Sequence, residues 1–249
     1  MTGSRLLSCR SCGHTALHTV LSLGHTPLAN ALLTKDQLSQ AEETFPLDLV
    51  LCPQCTLVQI TETVSPEKLF REYFYRSSFS DTMLRHVELL ADEMVRSRSL
   101  DAESLVIEVA SNDGYLLRHY KHRGVPVLGI EPAVNIARVA EEEHGIPTVR
   151  EFFGEELGKK LRADGYQADV IHAHNVLAHV PDLNGFVRGL RELLKVDGVA
   201  VIEVPYVKEM IDGCEFDTIY HEHVFYYSLT SASRLFERNG LRIVDVEWI

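Results

Sequence analysis

Between residues 80 and 98 the apolar positions recur three and four apart. In SDTMLRHVELLADEMVRSR, Leu84, Val87, Leu90, Ala91, Met94 and Val95 share one helical face, and Ser80 stands where an N-cap belongs. The period then changes. Residues Ser104–Ala110 (SLVIEVA) form a short apolar run rich in β-branched side chains, which predicts a buried strand. A turn, SNDG, and a short helix ending near Gly124 follow. VPVLGIEP predicts a second strand, AVNIARVAEEEHG a helix, IPTVREF a third strand and ADVIHAHN a fourth. The next helix places Leu183, Phe186, Val187, Leu190, Leu193 and Leu194 on one face and stops near Gly198, before a fifth strand, GVAVIEVP. Short strands alternating with longer helices predict an α/β fold with a doubly wound, mostly parallel sheet.

Upstream the pattern is different. Residues 1–75 are rich in loops and hold four of the five cysteines, so a division into 1–75 and 76–249 is expected. Cys9 and Cys12 form one C-x2-C pair, Cys52 and Cys55 a second, with 39 residues between the pairs. Each such turn presents two sulfurs to one side of an ion. Two turns close a tetrahedron and leave no position open for chemistry, which points to structural zinc. The bland alternatives are two unrelated thiol pairs or a redox C-x-x-C. Cys214 stands alone and reads as a buried small hydrophobe.

Composition narrows the class. With 24 basic and 36 acidic side chains the chain carries a net charge of −12, so it lacks the basic footprint of a nucleic-acid binder. No stretch is long and apolar enough for a membrane span, and the N-terminus has no long apolar segment of a secretory signal. A cytoplasmic location is expected, where paired cysteines read as metal ligands before disulfides. The sequence does not set the oligomeric state.

In an open α/β sheet, ligands bind at the carboxyl ends of the strands. The first strand runs through Glu108 into Ser111, Asn112, Asp113 and Gly114, and the second ends at Glu131, whose carboxylate can accept hydrogen bonds from both hydroxyls of a ribose. The turn lacks the G-x-G-x-x-G of a pyrophosphate cradle. A nucleoside without a pyrophosphate suits it, S-adenosylmethionine being one such ligand and NAD the competitor.

The twin C-x2-C pairs, EVASNDG, NVLAHVPD and YHEHVFYYS together resemble the zinc-containing, S-adenosylmethionine-dependent sugar C-methyltransferases, over the stretch from Cys9 to Ile249. The resemblance implies a class I methyltransferase core behind a small zinc domain. It implies a ketosugar linked to a nucleotide, commonly dTDP, as substrate. Glu131 would then hold the ribose, Phe153 could lie against the adenine, and Asn175 would line the methionine end. SLTSASRLFERNGLRIVDVE looks like the core's later helix and following strand. The family pattern continues with a seventh, antiparallel strand and a C-terminal α/β domain, so both are expected to be missing from a sequence that stops at Ile249.

Methylating the carbon beside a ketone requires removal of an α-proton and stabilisation of an enolate oxygen. Histidine suits the first task near neutral pH. In YHEHVFYYS, read as extended chain, His221 and His223 share one face and Tyr220 and Glu222 the other. That stretch could be a catalytic segment, a structural strand or a two-histidine metal site. Carried over from the family, His223 is the base and Glu222 orients a neighbouring polar group or the sugar. Tyr220 and His179 sit by the enolate oxygen, and Tyr75 matches an N-terminal tyrosine at the sugar site. His18, His86 and His119 read as solvated or partly packed. Two other outcomes remain open: an O- or N-methyltransferase for another small molecule, and an inactive zinc-stabilised binding module.

Overall fold

The computed structural model describes residues 8–70 and 76–249. In chain order its strands are β1 (His18–Thr26), β2 (Phe45–Leu51), β3 (Val58–Ile60), β4 (Val106–Val109), β5 (Val127–Ile130), β6 (Thr148–Val149), β7 (Ala168–His174), β8 (Leu194–Glu203) and β9 (Phe225–Tyr226). Its helices are α1 (Pro66–Phe70), α2 (Asp81–Arg98), α3 (Leu117–His122), α4 (Val134–His144), α5 (Glu155–Ala163), α6 (Leu183–Leu193), α7 (Val207–Asp212) and α8 (Leu229–Arg238). The chain divides into two compact units.

One unit gathers Pro66–Leu177 and Gly185–Glu203. Its five-stranded sheet has the order β6-β5-β4-β7-β8 and every neighbouring pair is parallel. Strand β4 is central, and all four of its residues are buried, as a strand covered on both faces must be. Val106 belongs to one buried cluster with Val87 and Ala91 of α2, Leu117 and Tyr120 of α3, and Ala140, Ile146 and Val170. The predicted face of α2 is the inward one, and Ser80 caps it, its hydroxyl accepting from Met83 N at 3.2 Å. Ser99 closes the same helix in the left-handed region, at φ +52°. Helices α5 and α6 approach so closely that a Cβ on Gly158 would lie 2.8 Å from the Gly189 carbonyl oxygen. This parallel sheet is the expected one, with two local differences. The third strand shrinks to Thr148–Val149, because only Gly129 and Ile130 of β5 pair with it. Helix α6 ends at Leu193, and Leu194 already opens β8 by pairing with Ala168.

The other unit comprises Met1–Ser65, Ala178–Asn184 and Val204–Ile249. Its sheet runs β1-β2-β3-β9 and is antiparallel throughout. Phe45, Leu47 and Leu49 alternate inward along β2 while Pro46 and Asp48 are half-buried. The short β9 joins the sheet by pairing Val58 with Tyr226 and Gln59 with Phe225. Arg10 ties the layers together: its guanidinium donates to the Ile60 carbonyl at 2.7 Å and lies 5.7 Å from the Phe225 ring centre.

Three expectations fail in this unit. Residues 220–223 are a turn, closed by His223 N donating to the Tyr220 carbonyl at 3.0 Å; only Phe225–Tyr226 of the expected run is strand. LRIVDVE, after α8, has the alternation of a strand but no ladder partner among the described residues, so it carries no regular structure. Cys214 is exposed, not buried. No helix among the described residues is long and apolar enough to cross a membrane.

Candidate functional site

The four paired cysteines converge. Their sulfurs all lie within 4.8 Å of one another, with Cys9 and Cys55 at 3.5 Å and Cys12 and Cys52 at 3.5 Å. Zinc–sulfur bonds of about 2.3 Å give a tetrahedron edge of roughly 3.8 Å, so the thiols already stand near ligand positions. Two matching turns place them. Gly13 N donates to Cys9 O at 2.8 Å and Thr56 N to Cys52 O at 2.9 Å. The residue after each second cysteine is left-handed, Gly13 at φ +77° and Thr56 at φ +63°. Glycine accepts that conformation freely; threonine does so under strain, with its hydroxyl on the Cys55 carbonyl at 2.7 Å. The neighbouring Cys55 thiol lowers Cys9 to about 5 against the opposing effect of burial, while burial raises Cys12 and the Cys9 sulfur raises Cys55. Four sulfurs close the coordination shell, and zinc here is a structural ion.

In the α/β unit, the turn after β4 gathers Glu108, Ser111, Asn112, Asp113 and Gly114 beside Glu131 at the end of β5. Ala110, Asn112 and Gly114 all take positive φ, at 55°, 49° and 79°. Two non-glycine residues in that region make a strained turn of the kind kept where a ligand is held. Asn112 N and Ala133 N donate to the two oxygens of Glu131, at 3.0 and 2.8 Å. The Asn112 side-chain oxygen accepts from Asp113 N and Ser77 N, each at 3.0 Å. Burial pushes the Glu131 carboxyl up to about 7, the two backbone donors pulling the other way. Burial also raises Glu108 well above the carboxylate range, with the Tyr115 phenol opposing it.

The Ser111 hydroxyl and both Asp113 oxygens are buried without a hydrogen-bond partner among the described residues. Such orphaned acceptors at a strand-end turn fit a nucleoside that supplies the missing donors. Asn175, at φ +53° after β7, donates to Glu203 Oε1 at 2.7 Å. Phe153 stands edge-on to Phe186, ring centres 5.3 Å apart.

The tyrosine-rich segment in the other unit builds a second constellation. His223 Nδ1 donates to the Thr218 carbonyl at 3.0 Å, which leaves Nε2 to accept from the Tyr220 hydroxyl at 3.2 Å. Burial holds the His223 ring below its ordinary range, the Thr218 carbonyl opposing. His179 lies 4.9 Å from it, ring centre to ring centre, its Nδ1 on the Glu222 carbonyl at 2.8 Å. The Glu222 carboxylate accepts from Asn30 at 2.8 Å, and burial raises it. His221 is separate from this group. It is buried beside Phe45, with Nε2 on the Pro46 carbonyl at 3.1 Å, which is a structural role. The turn at 220–223 causes the separation, because it breaks the alternation that would have put His221 and His223 on one face. Tyr75 lies outside the described residues.

The sequence pattern brought out Tyr220, His223, Glu222 and His179 but missed three of their partners. Asn30, Thr218 and Tyr226, whose ring stands 6.3 Å from His223, are distant or unremarkable in sequence. A main-chain carbonyl such as that of Thr218 leaves no residue-type signal at all.

Comparisons with known proteins agree on the class. Residues 9–70 match a family model described as "Putative zinc binding domain", and residues 78–246 one described as "Methyltransferase domain". "C-methyltransferase NovU" of Streptomyces niveus is 38% identical over 238 residues, covering 96% of this chain and 56% of that protein. The chain therefore spans little more than half the length of that relative. "Ubiquinone biosynthesis O-methyltransferase" of Azorhizobium caulinodans is 25% identical over 118 residues, 45% of this chain and 47% of that one. Among solved structures, "a putative sarcosine dimethylglycine methyltransferase from Galdieria sulphuraria" superimposes with a TM-score of 0.50 at 19% identity. That match covers 66% of this chain and 63% of the other and speaks for the fold alone.

Proposed function

The chain belongs to the methyltransferase-domain family, and from that premise we propose that it is part of an S-adenosylmethionine-dependent C-methyltransferase for a nucleotide-linked 4-keto deoxysugar. Its resemblance to sugar C-methyltransferases and its similarity to "C-methyltransferase NovU" support the reaction type. Glu108, Ser111, Asn112, Asp113, Gly114 and Glu131 would hold the cofactor, with Phe153 and Asn175 completing its surroundings. When bound, the cofactor supplies a methyl group on a positively charged sulfur.

His223 carries the chemistry in this reading. Because its Nδ1 proton is committed to Thr218, its Nε2 lone pair is the basic one, and burial keeps the ring neutral. Nε2 removes the α-proton of the ketosugar, and the electron pair moves onto the ketone oxygen. Tyr220 and His179 are proposed to sit by that oxygen. Once His223 Nε2 holds the proton it can donate to the Tyr220 oxygen, which frees the Tyr220 hydroxyl to donate to the enolate as charge develops. With the cofactor bound, the enolate carbon would be the nucleophile toward its methyl group, the pair of the broken sulfur–carbon bond staying on sulfur as a neutral thioether. Glu222, fixed by Asn30, orients the sugar or a polar neighbour. Tyr75 is kept as a sugar-site residue. The zinc takes no part in turnover.

The observation that carries this reading is the locked tautomer of His223. It is tested with labelled S-adenosylmethionine, a panel of nucleotide-linked ketosugars and the variant His223→Asn. Transfer should fall by about 10²–10⁴-fold while cofactor affinity is kept. Loss of cofactor affinity would make His223 structural. Transfer by the variant to an oxygen or nitrogen acceptor would favour the other methyltransferase reading.

A further inference from the structure

A chain of polar side chains runs through the α/β unit, apart from the residues assigned above to the cofactor except Asn175. The Tyr120 hydroxyl meets His172 Nε2 at 2.8 Å, and His172 Nδ1 meets His174 Nε2 at 3.0 Å. His174 Nδ1 lies 3.1 Å from Glu203 Oε2, and His86 Nε2 reaches the same oxygen at 3.1 Å. Glu203 Oε1 accepts from Asn175. The last residue of β7, the last residue of β8 and the first half of α2 thus each aim one ligand-type atom at a common point. Those three atoms lie within 4.8 Å of one another.

We propose that His86, His174 and Glu203 form a second metal site, taking a divalent transition cation with zinc as the expected occupant. Two imidazoles and one carboxylate are a nitrogen-and-oxygen set that suits zinc and its neighbours and not calcium or magnesium. A cation at about 2.0–2.2 Å from such ligands needs tetrahedron edges of roughly 3.3–3.6 Å. The two 3.1 Å separations need to open by only a few tenths of an ångström.

The surroundings are those of a metal site as well. Ligating histidines donate their second ring nitrogen to a partner, and ligating carboxylates are themselves hydrogen-bonded. His174 has His172 behind it and Tyr120 behind that, while Glu203 has Asn175. Exposure grades outward, with side chains 2% exposed at His174, 16% at Glu203 and 30% at His86, so a fourth position is open to water on the His86 side.

Proton positions distinguish the filled site from the empty one. Without a cation, His174 Nδ1 carries the proton and donates to Glu203, and His172 Nδ1 donates to His174. With a cation, Nδ1 must be bare. The proton then sits on His174 Nε2, His172 accepts it at Nδ1, and His172 Nε2 donates to the Tyr120 oxygen. His172 and His174 keep a hydrogen-bond partner in both states, and the half-buried His86 moves its proton from Nε2 to Nδ1, so the network accommodates the ion by shifting protons with little movement of atoms.

The test counts metal on the whole chain with its cysteine site loaded. After equilibration with excess zinc and desalting, two zinc ions per chain are expected. Glu203→Gln and His86→Gln should each return one, with all four paired thiols still shielded from a thiol reagent. Cobalt added to the singly loaded protein should bind in one saturable equivalent with weak visible bands. One zinc per chain in the wild type, or two in both variants, overturns the proposal. So does a cobalt spectrum dominated by sulfur charge transfer, which would place the second ion among the cysteines. His86 is half-buried on a helix, so its variant folds even if Glu203→Gln does not.

Discussion

The two units hold their reactive side chains by different means. In the α/β unit, Glu108, Glu131, His174 and Glu203 lie in or at the ends of parallel strands, and the ladder and the covering helices set their positions. In the other unit, Cys9, Cys12, Cys55, Tyr220, Glu222 and His223 lie on turns. Their positions are set by single hydrogen bonds to main-chain carbonyls, by Asn30 and by the metal. The first kind of site is as stable as the sheet beneath it. The second stands or falls with a few local links, and so should respond more sharply to small changes.

The largest effect should come from the zinc. Cys52→Ala removes one ligand, and structural zinc contributes on the order of 10 kcal/mol in small metal-dependent domains. The variant should lose its zinc and the β1-β2-β3-β9 sheet while the helical circular-dichroism signal of the α/β unit survives. Loss of both signals together would dissolve the contrast drawn between the units.

His223→Asn comes next, with a fall in transfer rate of about 10²–10⁴-fold, the usual worth of a general base. The pH dependence sharpens this. Burial lowers the His223 pKa from its ordinary 6.5, and in the proposed role as base the reactive form is the unprotonated ring. The rate should therefore stay flat as pH falls to 6.5 and decline only below it. A decline beginning above 6.5 would assign the titration to another group.

A smaller effect, of opposite sign for stability and function, is expected at Glu131. Its folded pKa of about 7 lies above the ordinary 4.5, so the fold is favoured while the group is protonated and loses that contribution as pH rises through 7. Glu131→Gln should be close to neutral for stability at pH 5 and stabilising by at most about 3 kcal/mol at pH 8. Cofactor affinity should fall at both. Melting temperatures at the two pH values, with calorimetry for the cofactor, separate these effects. Smallest is Ser80→Ala, which removes the α2 cap and should cost about 1 kcal/mol in denaturant melts of the α/β unit. An equal loss in the zinc-site unit would again blur the contrast.

The same contrast explains what could be read in the sequence. Strands β4, β5, β7 and β8, the face of α2 and the glutamates at strand ends were legible, because burial on both sides of a parallel sheet leaves an apolar run that polar residues punctuate. The Cys9–Cys12 and Cys52–Cys55 pairs were legible because metal geometry demands that spacing. The pairing of His221 with His223 was misread. Alternation along YHEHVFYYS presumes an extended chain, and the turn at 220–223 is set by the Thr218 and Tyr220 carbonyls, which have no residue code. LRIVDVE shows the converse, a strand pattern without a ladder to join.

By itself, then, the sequence determined the parallel sheet, the helix faces, the cysteine quartet and the residue types available for chemistry, since periodicity and spacing are local consequences of burial and coordination. Only the tertiary structure decided that β9 completes the sheet of the N-terminal strands, that Asn30 reaches Glu222 across 192 positions, and that His86 meets His174 and Glu203. Those meetings depend on how separate elements pack. Packing is set by shape and contact between residues far apart along the chain, which no local pattern records.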